Sequence, residues 1–173
     1  MKHIIDTNVP KMAANTSSGD PLDINCSLAC LQFIKDLLQS DDYLVLDIDN
    51  EIYNEYRNNL KTHGQDNVAT QFLLWVQRNL TLRSGSHIEL CKIHKLGEGI
   101  YTEFPESPDL DGFDPPDRKF IALSNAHPEH PHVVEGTDSL WWGYKSALEA
   151  QGIHIKFLYE DYVRIKYEES HAT

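Results

Sequence analysis

The sequence lacks long apolar runs and has little cysteine. No apolar stretch approaches the roughly 18 residues that a membrane-spanning helix needs, so no such helix is expected. The opening MKHIIDTNVP has a single lysine and a very short apolar run, unlike a secretory signal peptide. Three cysteines do not make a disulfide framework. We therefore expect a cytoplasmic protein with no membrane association.

Positive charge is also scarce. The chain has 15 Lys and Arg against 27 Asp and Glu, a formal net charge of −12. Such a charge opposes non-specific binding to nucleic acid, whose phosphates attract cations. Three features would offset it: a bound cation that neutralises clustered carboxylates, a local basic face, or a basic regulatory protein partner. The composition leaves all three open.

What remains is the composition of a folded α/β protein. The 173 residues are 40% hydrophobic and contain no repeat or low-complexity tract. This length predicts one domain over residues 1–160, followed by a charged C-terminal tail, 161–173, with at most one short helix. Residues 13–25 read as a loop, and 79–101 as a β hairpin or irregular insertion. Strands are predicted at 2–5, 43–46, 132–137 and 153–158, and helices at 27–38, from about 50 to 60 with Asp49 as cap, at 66–77, from 117 and at 139–151.

This alternation predicts a central, mostly parallel sheet with helices on both faces and a β-rich insertion. Ligands of such sheets bind at the carboxyl ends of the strands. Asp6 and Asp138 directly follow predicted strands, Asp117 opens a helix after a loop, and Glu55 lies about one and a half turns into the helix after the second strand. Four carboxylates at one edge repel each other unless a cation is present, and hard oxygen ligands suit Mg²⁺ or Mn²⁺.

Each acid also has an ordinary structural interpretation. Asp117 and Asp138 stand where helix caps stand. Asp6 has no such role and is the strongest single candidate. Glu51 lies four residues before Glu55, on the same helix face, and competes with it as the second acid.

The ordered set of acids resembles the PIN domain family of metal-dependent nucleases. The motifs that carry the resemblance are IIDTN, NEIYNEYRNNL, DPPDRKFIALS and VVEGTDSLWW. The resemblance implies a three-layer PIN-like domain with catalytic, metal-binding acids at Asp6, Glu55, Asp117 and Asp138. It also implies that Asn8 and Thr137 support these acids. Asp114, three residues before Asp117, is either a further acid of the site or a residue that structures the loop.

The implied activity is hydrolysis of phosphodiester bonds by an Mg²⁺- or Mn²⁺-dependent endonuclease, with RNA as the first expectation. Such an enzyme would act as a toxin or defence effector, and dimers are common among family members. Two alternatives stay open: a PIN-like binding or scaffold module with little catalysis, and a nuclease directed at DNA.

Residues that would contact the substrate are predicted from their places in the sequence. Four basic residues near the acids would hold phosphates, unless they are ordinary surface charge: Arg57, Lys61, Arg118 and Lys119. Trp141 and Trp142 would stack on bases or belong to the core.

Overall fold

A parallel sheet runs through the protein in the computed structural model, which describes residues 1–15, 19–60 and 67–172. Within these residues, five strands are ordered β3-β2-β1-β6-β7 and all neighbours are parallel. A separate antiparallel pair is formed by β4 and β5. The strands are β1 (Lys2–Ile5), β2 (Tyr43–Asp47), β3 (Ile88–Cys91), β4 (Lys95–Gly97), β5 (Ile100–Tyr101), β6 (His132–Glu135) and β7 (Ile155–Phe157).

Helices cover both faces of this sheet, so the predicted three-layer α/β class is confirmed. The helices are α1 (Asn8–Ala13), α2 (Pro21–Gln39), α3 (Glu51–Asn59), α4 (Val68–Thr81), α5 (Arg118–Ala126), α6 (Leu140–Ala150) and α7 (Glu160–Ser170). Helices α1, α2 and α4 pack on one another, and α3 contacts α5. None of the helices in the three described stretches is both long and apolar enough to cross a membrane.

The strand order places a switch point beside β1. From β1 the chain builds the sheet outward through β2 and β3, and it then returns to the other side of β1 with β6 and β7. Helices α5 and α1 contact the central strands around this point. In open parallel sheets the crevice outside the carboxyl ends at such a switch point is the usual ligand site. The acids that follow β1 and β6 therefore border this crevice.

Several boundaries differ from those predicted. Residues read as a loop form the first turns of α2, which begins at Pro21 instead of residue 27. The side chain of Asp20 accepts the Leu22 N–H at 2.8 Å, and Pro21 fits the first helical position because it needs no hydrogen bond there. Helix α1, which follows β1 at once, was not predicted.

Asp49 is not the cap of α3. The helix begins after Asn50, which adopts a left-handed conformation with a φ of 63°. The carboxylate of Asp47 accepts the N–H groups of Glu51 and Ile52 at 2.7 and 2.9 Å. Asp47 therefore serves as the cap from the end of β2, because the tight left-handed turn brings the first turn of the helix back over the strand.

The segment 79–101 is divided between two structures. Strand β3 joins the main sheet as its edge, parallel to β2, so this part of the hairpin prediction is wrong. Strands β4 and β5 do form a small hairpin. In the C-terminal segment the expected helix is α7, and it packs on α2 and α6 with Val163 buried.

Candidate functional site

Asp6 lies at the carboxyl end of β1, the central strand of the sheet. It follows β1, is 3% exposed, and its backbone N–H donates to the Val134 carbonyl at 3.0 Å. One carboxylate oxygen accepts the Asn8 N–H at 2.7 Å. Burial, followed by the negative charges of Asp117 and Glu55, raises the pKa of Asp6 to about 8. Asp117 and Glu55 are therefore close enough to Asp6 for their charges to act on it.

Glu55 reaches this group from α3. One of its oxygens accepts the Thr7 hydroxyl at 2.5 Å, and the other is 2.6 Å from the Lys119 ammonium. The Lys119 side chain is 7% exposed and also donates to the Pro116 carbonyl. Lys119 is therefore a buried cation among the carboxylates, and its charge lowers the pKa of both Asp6 and Asp117.

Glu51, the competitor of Glu55, points elsewhere. It accepts the Tyr101 hydroxyl at 2.6 Å and pairs with Lys95 at 3.2 Å, both from the β4–β5 hairpin. The charge of Glu55, and not that of Glu51, is among the causes that raise the pKa of Asp6. Of the two glutamates on α3, the structure brings Glu55 to the site and uses Glu51 to hold the hairpin.

Asp117 stands at the start of α5, as predicted, but does not cap it. Its side chain makes no capping hydrogen bond and instead accepts the Trp141 indole N–H at 3.2 Å. Burial raises the pKa of Asp117 to about 6, and the charges of Asp138 and Asp114 add to that rise. Trp141 is 1% exposed, which places it in the core and excludes base stacking on its face.

Asp138 does not directly follow a strand. Strand β6 ends at Glu135, two residues earlier than predicted. One oxygen of Asp138 accepts the N–H of Leu140, the first residue of α6, at 2.9 Å, whereas the residue at the N-cap position is Ser139. Burial and then the nearby Asp114 charge raise the pKa of Asp138. The charges of Asp138 and Asp114 thus act on Asp117, which links these two acids to the cluster.

Sequence reasoning missed Glu135. It is fully buried at the end of β6, and Oε1 accepts the N–H groups of Gly136, Thr137 and Asp138 at 2.8, 2.8 and 2.9 Å. The other oxygen, Oε2, is buried and has no hydrogen-bond partner. Burial, and then the charge of Asp6, raise the pKa of Glu135. The available signal was an acid after the apolar pair VV, which the prediction absorbed into a longer strand.

The two predicted supporting residues contribute backbone groups to this arrangement. Asn8 supplies the N–H that binds Asp6, and Thr137 supplies one of the three that bind Glu135. The hydroxyl that orients Glu55 belongs to Thr7, which was not selected from the sequence.

No three His, Cys, Asp or Glu side chains in the described part of the chain are arranged to hold a metal ion as they stand. Both oxygens of Glu55 are engaged, by Thr7 and Lys119. The donors otherwise suit a hard cation. They are carboxylate oxygens, burial and then the charges of Asp117 and Glu55 raise the pKa of Asp6, and one buried oxygen of Glu135 lacks a partner. Carboxylates in this condition fit Mg²⁺ or Mn²⁺ chemically.

The chain matches no protein-family model, curated protein or solved structure at significance.

The predicted phosphate-binding residues differ in their contacts. Lys119 belongs to the site, whereas Arg118 donates to the Phe113 and Asp111 carbonyls at 3.0 and 2.8 Å and so holds the preceding loop. Arg57 is exposed and lies over the Tyr53 ring at 5.9 Å. Lys61 lies outside the described residues.

Two open cavities flank Pro115 beside the acids. One, of about 370 Å³, is bordered by Glu55, Lys119 and the amide side chains of α3, Asn54, Asn58 and Asn59. The other, of about 320 Å³, has Asp114, Asp138 and Tyr144 in its wall. Glu55 therefore faces one cavity and Asp138 the other, and the lining of neither cavity includes Asp6 or Asp117.

Proposed function

We propose that the protein is an Mg²⁺- or Mn²⁺-dependent endonuclease that hydrolyses phosphodiester bonds in RNA. The observation that carries the proposal is the position of Asp6 at the switch point, where burial and then the charges of Asp117 and Glu55 raise its pKa to about 8. A divalent cation would offset those charges. The same three acids lie in the motifs that resemble the PIN family.

Each residue of the proposed site has a role that follows from its contacts. Asp6 and Asp117 would hold the cation, with Asp138 and Glu55 completing the set. A cation bound there would supply Lewis acidity toward a phosphate oxygen and an activated water. Thr7 fixes the direction of Glu55, and Lys119 offsets one of the negative charges. The Trp141 indole holds Asp117 toward the crevice.

The acidic net charge fits this proposal if the substrate phosphates meet a neutralised site. Clustered carboxylates account for part of the −12 and would be offset by the cation. Because Arg118 is engaged by its own loop, phosphate binding would depend on few basic side chains. We therefore expect weak RNA affinity that falls with added salt, and a role for a basic protein partner in any regulation.

A binding module with little catalysis is the second candidate. One observation favours it: the Lys119–Glu55 ion pair already engages one of the four acids. In such a module Lys119 would stand in for the cation permanently. The two candidates differ in whether RNA is cut or merely bound.

A cleavage assay on the whole protein separates them. Labelled RNA and DNA of one sequence are incubated with Mg²⁺, Mn²⁺ or EDTA, and the wild type is compared with Asp6→Asn and Asp117→Asn. We expect cation-dependent RNA cleavage that falls at least about 100-fold in both variants, the size typical for loss of a group that stabilises transition-state charge. Asp49→Asn, the same change on an exposed turn, should cleave like the wild type.

The possible outcomes are distinct. Equal behaviour of the wild type and both site variants contradicts the nuclease proposal. Binding of RNA without cleavage supports the module, and cleavage of DNA alone changes the substrate to DNA.

A further inference from the structure

Glu135 and Asp6 are neighbours across two strands. In the parallel pairing of β1 with β6, Ile5 stands opposite Val134, and the Asp6 N–H donates to the Val134 carbonyl at 3.0 Å. Glu135 is the next residue on β6, and Asp6 directly follows β1. Since side chains alternate between the faces of a sheet, residues in register on adjacent strands project from the same face. The two carboxyl groups therefore stand side by side at the carboxyl edge of the sheet.

The two oxygens of Glu135 have different surroundings. Oε1 accepts three backbone N–H groups and holds the turn that leads to Asp138. Oε2 is buried without a partner. A buried polar atom without a hydrogen bond costs on the order of 1–3 kcal/mol, and such atoms are rare in folded proteins. Oε1 alone holds the turn. The free-energy cost of burying Oε2 without a partner is therefore not offset by a hydrogen bond in the turn.

A purely structural carboxylate in this protein looks different. Asp47 also ends a central strand and is also fully buried. Its Oδ2 and Oδ1 each accept a backbone N–H, from Glu51 and Ile52, so neither oxygen is left over. In Glu135 one oxygen has no hydrogen bond, and the carboxyl group is close enough to Asp6 for the charge of Asp6 to act on it.

We propose that Glu135 is a fifth carboxylate of the cation site and offers Oε2 to the same divalent cation as Asp6. This inference rests on the proposed metal-dependent function. It extends the set of four acids by a residue that no motif indicated, and it makes one side chain serve two purposes. Oε1 positions Asp138 through the turn, and Oε2 binds the cation.

The test measures cation binding without any substrate. Mn²⁺ is titrated calorimetrically into the whole protein, into Glu135→Gln, and into Asp47→Asn as the matched control. The Gln amide keeps an oxygen for the three N–H groups and replaces Oε2 by an NH₂ group, which cannot bind a cation. Asp6→Asn defines the effect of losing an accepted ligand.

We expect Glu135→Gln to weaken Mn²⁺ binding at least about tenfold, as does the loss of groups that support a metal site. Asp47→Asn should bind Mn²⁺ like the wild type. If Asp6→Asn weakens binding and Glu135→Gln does not, this inference is overturned while the proposed function stands. If the wild type fails to bind Mn²⁺, both are overturned.

A second variant covers the case in which Glu135→Gln does not fold, as judged by circular dichroism. Glu135→Asp keeps the acid but retracts it by one methylene. Mn²⁺ binding weakened about tenfold supports the role of Oε2, and unchanged binding overturns it.

Discussion

Two buried carboxylates follow one another across adjacent strands of the sheet, Asp47 at the end of β2 and Asp6 just after β1. Their hydrogen-bond partners and neighbouring charges differ. Burial raises the pKa of both. At Asp47 the opposing influence comes from backbone N–H groups at the start of α3, which engage both oxygens. At Asp6 one backbone N–H stabilises the charged form, and two further carboxylates destabilise it.

The difference separates structural acids from candidate functional acids. A buried carboxylate that its own backbone satisfies contributes to the fold, because hydrogen bonds offset the desolvation of its charge. A buried carboxylate surrounded by other carboxylates destabilises the empty site, a cost that a bound cation removes. Neither burial nor position at a strand end distinguishes the two types. Their hydrogen-bond partners do.

The largest effect is expected when both acids are neutralised in the same way. Without divalent cations at pH 8.5, we expect Asp6→Asn to be more stable than the wild type by about 2 kcal/mol, because it removes a buried charge near other acids. Asp47→Asn should be less stable by about 1–2 kcal/mol, since one of its N–H bonds is lost. Denaturant unfolding followed by circular dichroism measures both.

The pH dependence gives the control for Asp6. Its folded pKa of about 8 lies above the ordinary value of 3.8, so between these values the folded state holds a proton that the unfolded state releases. Wild-type stability should therefore fall as the pH rises through this window. The advantage of Asp6→Asn should vanish near pH 4. An advantage that is constant with pH would contradict the electrostatic explanation.

Lys119 gives the next largest expected effect. Lys119→Met leaves Glu55 without its cation, at a cost of about 2 kcal/mol. This is less than the 3–5 kcal/mol of a fully buried pair because the Glu55 side chain is 26% exposed. Added Mg²⁺ should stabilise this variant more than the wild type, since the cation then has no competitor for Glu55. Thermal unfolding with and without Mg²⁺ measures both effects.

Lys145→Met is the matched control for this variant. Lys145 pairs at 3.2 Å with Glu160, whose side chain is 59% exposed, and such surface pairs contribute at most about 1 kcal/mol. Equal losses in the two variants would show that Lys119 acts only as a packed side chain and does not balance the acids.

Glu51 and Glu55 give the smallest effect on stability. Glu51→Gln keeps an acceptor for the Tyr101 hydroxyl and loses only the ion pair with Lys95, so we expect a loss below about 1 kcal/mol and unchanged RNA cleavage. Glu55→Gln should reduce cleavage strongly. A parallel cleavage assay of the two variants decides, and a larger loss in Glu51→Gln would reverse their assignment.

The sheet and most helices could be predicted because their signals are local. Short apolar strands alternate with amphipathic segments, and Gly152 ends α6 with a φ of 78°, the left-handed conformation that glycine permits. The errors arose where a contact distant in sequence decides. Strand β3 has weak alternation of its own and is fixed by pairing with β2. The boundary of α2, by contrast, had a local signal in Asp20 and Pro21 that the prediction passed over.

The acids were predicted by order along the chain, and the structure brings together Asp6, Glu55 and Asp117. The choice of Glu55 over Glu51 depended on which glutamate meets Thr7 and Lys119 and which meets the hairpin. Side-chain direction of that kind has no signature in a single sequence.

The sequence by itself determined the parallel sheet and the approach of carboxylates to its edge, because strand and helix periodicity fix which residues end each strand. Only the tertiary structure decided which buried acids are satisfied. Both oxygens of Asp47 accept backbone N–H groups of α3, Glu55 is paired with Lys119, and one oxygen of Glu135 has no partner. The physical reason is that hydrogen bonding and charge balance depend on distances of a few ångströms between elements, which packing sets.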